Sequence, residues 1–139
     1  IIETGELLEA RVSRAILLAI FEPHSPLHDG AVIIRGNRLM AAHCFLPLSD
    51  NPTLPSHYGT RHRAAVGLSE MSDAVILVVS EETGQLSLMH QGVVAERLAP
   101  VALKYQLQAL LMPGANLASS LKDRESEEAA NRVLPETGE

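Results

Sequence analysis

The sequence predicts an α/β domain with a mixed central β-sheet flanked by helices. Three observations predict it. Short β-rich runs alternate along the chain with segments of helical periodicity. Glycine and proline clusters separate them at element length. The 139 residues are 46% hydrophobic and 20% charged, the balance of one globular domain, and only 3% aromatic, so the core is aliphatic.

Residues 5–21 carry Leu8, Val12, Ala15, Ile16, Ala19 and Ile20 at helical spacing, with Thr4 as the N-cap and Glu6 in the first turn, where a negative charge suits the helix dipole. Pro23 and Pro26 end that helix. Residues 31–34 and 39–45 are β-rich and flank Gly36-Asn37, which reads as a hairpin. Residues 47–59 contain Pro47, Pro52 and Pro55 and form a loop long enough to suggest a function. A helix follows over 60–71, with Ala64, Ala65 and Leu68 as its apolar stripe. Residues 74–79 are continuously apolar, the pattern of a central buried strand. Residues 81–84 are a turn, 85–90 alternate like a strand, and Gly92 punctuates the chain again. A last helix over 101–112 lies between Pro100 and Pro113-Gly114.

Residues 1–118 read as the functional domain. Residues 119–139 hold six acids against three bases and read as an acidic tail that frays into disorder. Leu134-Pro135-Glu136-Thr137-Gly138 matches a sortase recognition motif without the apolar stretch that should follow, and is set aside as chance or an appended tag. The first residue, Ile1, is not Met, which points to a fragment of a longer protein.

The formal charge of −6 argues against a nucleic-acid or anionic-membrane binder, which uses a basic face. A single cysteine, Cys44, excludes an internal disulfide framework and a Cys-rich zinc site. The longest apolar run, residues 15–21, is far too short to span a bilayer, and no secretory signal peptide is visible.

Three segments place reactive side chains at element boundaries. In Leu27-His28-Asp29-Gly30-Ala31, Gly30 lets a ligand approach the backbone, Asp29 can ligate a divalent cation or accept a proton, and His28 can ligate metal or phosphate. Taken alone, the triplet reads first as a turn in which Asp29 bonds its own backbone. In Gly59-Thr60-Arg61-His62-Arg63, a hydroxyl, two guanidiniums and helix N-terminal N–H groups converge, which favours an anion. Two arginines at a helix start oppose the dipole, by about 0.3–1 kcal/mol each, unless an anion or nearby carboxylates answer them. In Ser80-Glu81-Glu82-Thr83-Gly84, the adjacent carboxylates suit Mg²⁺ or Mn²⁺, although alone the segment reads as an acidic hairpin turn.

Other residues read as structural. Cys44 and Met40 belong to a strand core, Ser69, Glu70 and Asp73 to solvated positions, and His24, His43, His57 and His90 share no metal-ligand spacing. The chain has no serine-hydrolase nucleophile motif, no Walker P-loop and no Rossmann glycine fingerprint.

Pro26-Leu27-His28-Asp29-Gly30-Ala31-Val32-Ile33-Ile34, Gly59-Thr60-Arg61-His62-Arg63-Ala64-Ala65 and Ser80-Glu81-Glu82-Thr83-Gly84 together resemble the diadenylate cyclase domain family, closest to its membrane-anchored bacterial branch. Leu46-Pro47-Leu48-Ser49 and Leu68-Ser69-Glu70 lie between them as in the family, and the resemblance covers roughly residues 2–112. It makes all three segments site candidates.

The resemblance implies condensation of two ATP into cyclic di-AMP with release of two pyrophosphates. Each half-reaction is attack of a ribose 3′-hydroxyl on the α-phosphate of the other ATP, which calls for in-line geometry and neutralised phosphate charge. It implies Asp29 as metal ligand, as base for the 3′-hydroxyl, or both, with Arg61 and His62 as its catalytic partners. His28 and Glu82 are the further contacts for Mn²⁺ or Mg²⁺. Gly59, Thr60 and Arg63 would help hold the phosphates, and Leu27, Gly30, Ala31, Leu46, Ser80 and Glu81 would contact the nucleotide. Phe45 stands where the family often has Tyr, so a ring for stacking adenine remains without its hydroxyl.

The family domain begins with a further helix and strand that this chain lacks, preceded in this branch by membrane helices. The resemblance therefore implies a cytoplasmic domain that meets a membrane only through a preceding segment. The two-fold symmetric product implies a homodimer, each copy presenting its hydroxyl to the other's phosphate. A catalytically silent ATP-binding regulatory module is the alternative. A metal-dependent phosphodiesterase ranks last, because the segments offer few carboxylates for a two-metal site.

Overall fold

The computed structural model describes residues 1–111, 117, 118, 120–122 and 125. They fall into two compact units, Ile1–Pro47 and Leu48–Glu139. The expected Pro113-Gly114 stop and the 134–138 motif lie outside the described residues, as does most of the 119–139 stretch. The α/β class holds, and the strands form a three-stranded antiparallel sheet in each unit.

The first unit opens with a 3-10 turn over Ile2–Thr4, then β1 (Glu6–Arg11), α1 (Arg14–Phe21), β2 (Ala31–Arg35) and β3 (Arg38–Cys44). The strand order is β1-β3-β2. The hairpin β2–β3 turns on Gly36-Asn37 as expected, with Gly36 at φ +63°.

The single helix expected over 5–21 is corrected to a strand followed by a shorter helix. Leu8 and Val12 do share a core with Ile16 and Ile20, but they reach it from a strand and its exit. Positions 8 and 12 satisfy both a period of two and a period near four, so the apolar pattern could not separate them. Ser13, not Thr4, caps the helix, its hydroxyl accepting from the Ile16 N–H at 3.2 Å. The Thr4 hydroxyl instead donates to the Ile1 carbonyl and accepts from the Phe45 N–H. The core of this unit is Ile20, Leu39 and Ala42, surrounded by Leu8, Val12, Ile16, Leu17, Leu27 and Val32.

The second unit contains α2 (Thr60–Met71), β4 (Ile76–Val79), β5 (Leu86–His90), β6 (Val93–Leu98) and α3 (Pro100–Leu110). The sheet order is β4-β5-β6. The apolar run expected as a central buried strand is therefore an edge strand, with Leu77 and Val79 about half exposed. The centre is β5. Its neighbours Leu88 and Met89 point to opposite faces, as successive strand residues must. Leu88 packs with Leu103 and Leu110 of α3, and Met89 with Ala65 and Val66 of α2. β6 was not anticipated, because Glu96 and Arg97 interrupt its apolar signal. A two-residue turn at Gln91 (φ +50°) and Gly92 (φ +78°) joins it to β5, the geometry of a type I′ hairpin. No helix among the described residues is long and apolar enough to cross a membrane.

Gly30 and Gly36 both have positive φ but differ in surroundings. A Cβ on Gly30 would lie 2.8 Å from the Cys44 carbonyl oxygen, whereas one on Gly36 meets nothing within 4 Å. Gly36→Ala is expected to destabilise by about 1 kcal/mol from backbone conformation alone. Gly30→Ala should cost distinctly more, at least about 2 kcal/mol, because strain and a backbone clash add. Urea denaturation midpoints of the two variants check the ranking.

Candidate active site

In the first unit, the site candidates sit where the chain enters β2 and leaves β3. The 25–30 segment is a tight series of turns. The Ser25 N–H donates to the Glu22 carbonyl, the His28 N–H to the Ser25 carbonyl, and the Leu27 N–H to the Ser25 hydroxyl. Gly30, at φ +88°, then brings the backbone against His43 and Cys44. Ala31 pairs opposite Cys44 in the sheet.

Two histidines bracket Asp29. The His28 Nδ1 lies 2.7 Å from the Ser25 carbonyl oxygen, and the His43 Nδ1 lies 2.7 Å from the Asp29 carbonyl oxygen. A carbonyl only accepts, so both Nδ1 atoms carry the proton and each Nε2 is left to act outward. The His28 Nε2 lies 3.5 Å from the Asp29 Oδ1. A histidine whose other ring N–H is pinned by a carbonyl, next to a carboxylate, fits a divalent cation. Among the described residues no group of three or more His, Cys, Asp or Glu could hold an ion together. A metal here would thus take few protein donors and complete its shell with water or other outside oxygen ligands, the usual habit of Mg²⁺.

His43 was read as structural, and the fold gives it more. The β2–β3 register shifts between Ala31 and Ile33, and His43 has φ +55°. A bulge of this kind turns a side chain out of its alternating place. The His43 ring therefore reaches the Asp29 backbone and meets the Phe45 ring edge-on, at 5.2 Å and 65°. Phe45 is exposed and Leu46 half-buried. Leu27 is part of the unit's core and, with Glu6, Leu7, Leu8, Pro26 and His43, lines an open depression. Cys44 is buried as expected, and burial pushes its thiol pKa up, which makes it unreactive.

In the second unit, α2 begins at Thr60 after Gly59, with no side-chain cap and no acid in the first turn. The early N–H groups of the helix thus face outward without a capping carboxylate. Arg61 extends to the turn after β4, where its Nη1 lies 2.9 Å from the Glu81 Oε1. That ion pair brings together two of the three predicted segments, twenty residues apart. Their turn is built by Ser80. Its N–H donates to the Gln85 carbonyl, its carbonyl accepts from Gly84, and its hydroxyl accepts from Thr83. Glu81 and Glu82 are exposed on this turn, and Arg63 is half-buried.

The loop before α2 is tied down. The Ser49 N–H donates to the Arg63 carbonyl at 3.0 Å, and the Ser49 hydroxyl donates to Glu70. Asn51 accepts from both the N–H and the hydroxyl of Thr53. Ser69, expected in solvent, is buried, its hydroxyl donating to the Val66 carbonyl and accepting from the Gly92 N–H.

Sequence reasoning passed over Tyr58 and Glu96 and read His57 as structural. The Tyr58 ring stacks on His62, with centroids 5.1 Å apart and planes at 27°. The only available signal was an aromatic four residues before a candidate phosphate ligand, in a chain with four aromatics in all.

The family model described as "DisA bacterial checkpoint controller nucleotide-binding" (DAC) matches residues 1–94. The cyclic di-AMP synthase CdaA of Bacillus subtilis is 51% identical over 108 residues, covering 78% of this chain and 40% of that protein. A diadenylate cyclase of Listeria monocytogenes is 56% identical over 91 residues, covering 66% of this chain and 33% of that one. The chain thus spans well under half the length of these curated relatives. Among solved structures, DacA of Staphylococcus aureus superimposes with a TM-score of 0.68 at 48% identity, over 70% of this chain and 65% of that one. A hypothetical membrane spanning protein of Bacillus cereus gives 0.67 at 47% identity, over 69% of this chain and 47% of that one. A match across 94 of the 139 residues, taking in the β2–β3 hairpin, α2 and all three predicted segments, means that the chain belongs to the DAC family.

Proposed function

We propose that the chain is the catalytic domain of a diadenylate cyclase, converting two ATP into cyclic di-AMP and two pyrophosphates. The observation that carries this is the family match over residues 1–94, which includes the Asp29, Arg61 and Glu81 segments together. In each half-reaction a ribose 3′-oxygen forms a bond to the α-phosphorus of the other ATP. The bond from that phosphorus to the pyrophosphate oxygen breaks, and the hydroxyl proton leaves to a base. The chemistry is mainly positioning and charge stabilisation.

Asp29 is the proposed acceptor of that proton or a metal ligand, and His28 the imidazole beside it. Bound Mn²⁺ or Mg²⁺, held by Asp29 and His28, would neutralise phosphate charge. Arg61, His62 and Arg63, with Gly59, Thr60 and the N–H groups of the first turn of α2, take the triphosphate. Glu81 and Ser80 hold Arg61 at its post until nucleotide arrives, and Glu81 then competes with phosphate for the guanidinium. Gly30 and Ala31 offer backbone, and Phe45 with Leu27 and Leu46 offers apolar surface to adenine. Two copies related by a two-fold axis complete the reaction, since one copy holds one nucleophile and one α-phosphate. The whole protein would present this domain at the cytoplasmic face of a membrane, anchored by a preceding segment, in keeping with the membrane spanning relative of Bacillus cereus.

Incubation with ATP and Mn²⁺ should yield cyclic di-AMP by mass spectrometry. ATP binding without product would return the chain to the silent-module alternative. Asp29→Asn is expected to lower synthesis by at least about a hundredfold, the scale of a lost general base, with an unchanged circular dichroism spectrum. Near-normal turnover would remove Asp29 from the mechanism. Arg61→Ala with His62→Ala should weaken ATP binding by about tenfold or more in calorimetry. The initial rate per subunit should climb with protein concentration and level off once sedimentation shows only dimer; a flat profile across the monomer range would defeat the dimer.

A further inference from the structure

We propose that Tyr58, clamped by Glu96, is a positioning residue that holds the His62 imidazole in one orientation toward the triphosphate. This rests on the reading of His62 as a phosphate ligand and adds the device that orients it.

Tyr58 lies two residues before α2 yet is only 7% exposed. Its ring packs among Ala65, Val66, Val78 and Met89, so the core fixes one side. Its hydroxyl donates to the Glu96 carboxylate on β6. Burial first, and that hydrogen bond second, push the phenol pKa up, so it stays a proton donor to Glu96. The ring is therefore held at its body and at its tip, which leaves it little freedom to rotate or shift.

This rigid platform carries His62 on its face, at 5.1 Å and 27°. A histidine in the first turn of a helix, half-buried, has more than one rotamer open to it. Stacking on an immobile ring selects one of them. The edge of Tyr58 is covered by His57, whose ring meets it at 5.0 Å and 84°. The His57 Nε2 lies 3.7 Å from the Glu96 Oε1. Glu96 thus braces both the platform and its neighbour His57, from β6. Orientation fixed before the substrate arrives lowers the ordering cost of binding.

The test is a double-mutant cycle on the whole chain, comparing wild type, Tyr58→Leu, His62→Ala and the double variant. Both the ATP dissociation constant with Mn²⁺ and the rate of cyclic di-AMP formation are measured. Tyr58→Leu should weaken binding by about three- to tenfold in the wild-type background, the size of an aromatic pair, and do nothing further once His62 is gone. An equal loss in both backgrounds would show that Tyr58 acts only through stability and would overturn the proposal. If Tyr58→Leu fails to fold, Glu96→Leu enters the same cycle, with Glu96→Gln, which keeps an acceptor for the phenol, expected to restore binding to within about twofold. If His62→Ala changes neither quantity, the phosphate reading falls and takes the positioning role with it. If the wild type makes no product, the binding arm still decides.

Discussion

The absence of two side chains governs the first unit. β3 is its central strand, and both neighbours close on the end of that strand through glycine. A Cβ on Gly5 would sit 2.3 Å from the Ala42 carbonyl oxygen and 2.6 Å from the Cys44 sulfur. A Cβ on Gly30 would sit 2.8 Å from the Cys44 carbonyl oxygen. Close packing leaves no slack to absorb such contacts, so the backbone on each side can run here only without a side chain. This grip sets where Asp29 emerges. It also puts the Asp29 carbonyl within reach of His43, which the bulge in β3 has already turned toward it. Cys44, held between the two glycines, is a packing residue whose thiol has no chemical part to play.

The second unit solves a different problem, that of keeping positive charge at a helix start. The dipole disfavours Arg61 and Arg63 there, and no acid in the first turn of α2 offsets them. The compensation comes from outside the helix, through Glu81 on the turn after β4. That pairing is exposed on the Glu81 side, so its contribution to stability is small. Its value is geometric. It holds the guanidinium in a defined direction without burying it.

Much of this was legible in the residues. The hairpin around Gly36-Asn37, α2, the turn at 81–84 and α3 follow from turn chemistry and periodicity, and the three segments stood out because reactive groups gathered at element ends. The first helix was overextended because Leu8 and Val12 fit two periods at once, and only the Ser13 cap and the pairing with β3 separate them. The run at 74–79 looked central because it is apolar on both faces, whereas the buried β5 carries Ser87 and His90 and so reads as half-polar. Burial depends on which strand lies beside which, and composition does not record that. His43 and Tyr58 were hidden for a related reason. One owes its direction to a bulge, and the other to a carboxylate 38 positions away in sequence, Glu96.

The 47–59 loop has the length and proline content of a gate, but it is fastened at both ends to α2. Ser49 joins it to the Arg63 carbonyl near one end of the helix and to the Glu70 side chain near the other, while Tyr58 is sunk in the core beneath that helix. Between those anchors, Asn51 and Pro55 bond the chain to itself. Such a strap cannot swing alone. Any displacement of this segment would have to carry α2, and with it the side chains of Arg61 and His62. The segment and the start of α2 therefore form one mechanical unit, and a push on either is felt by both.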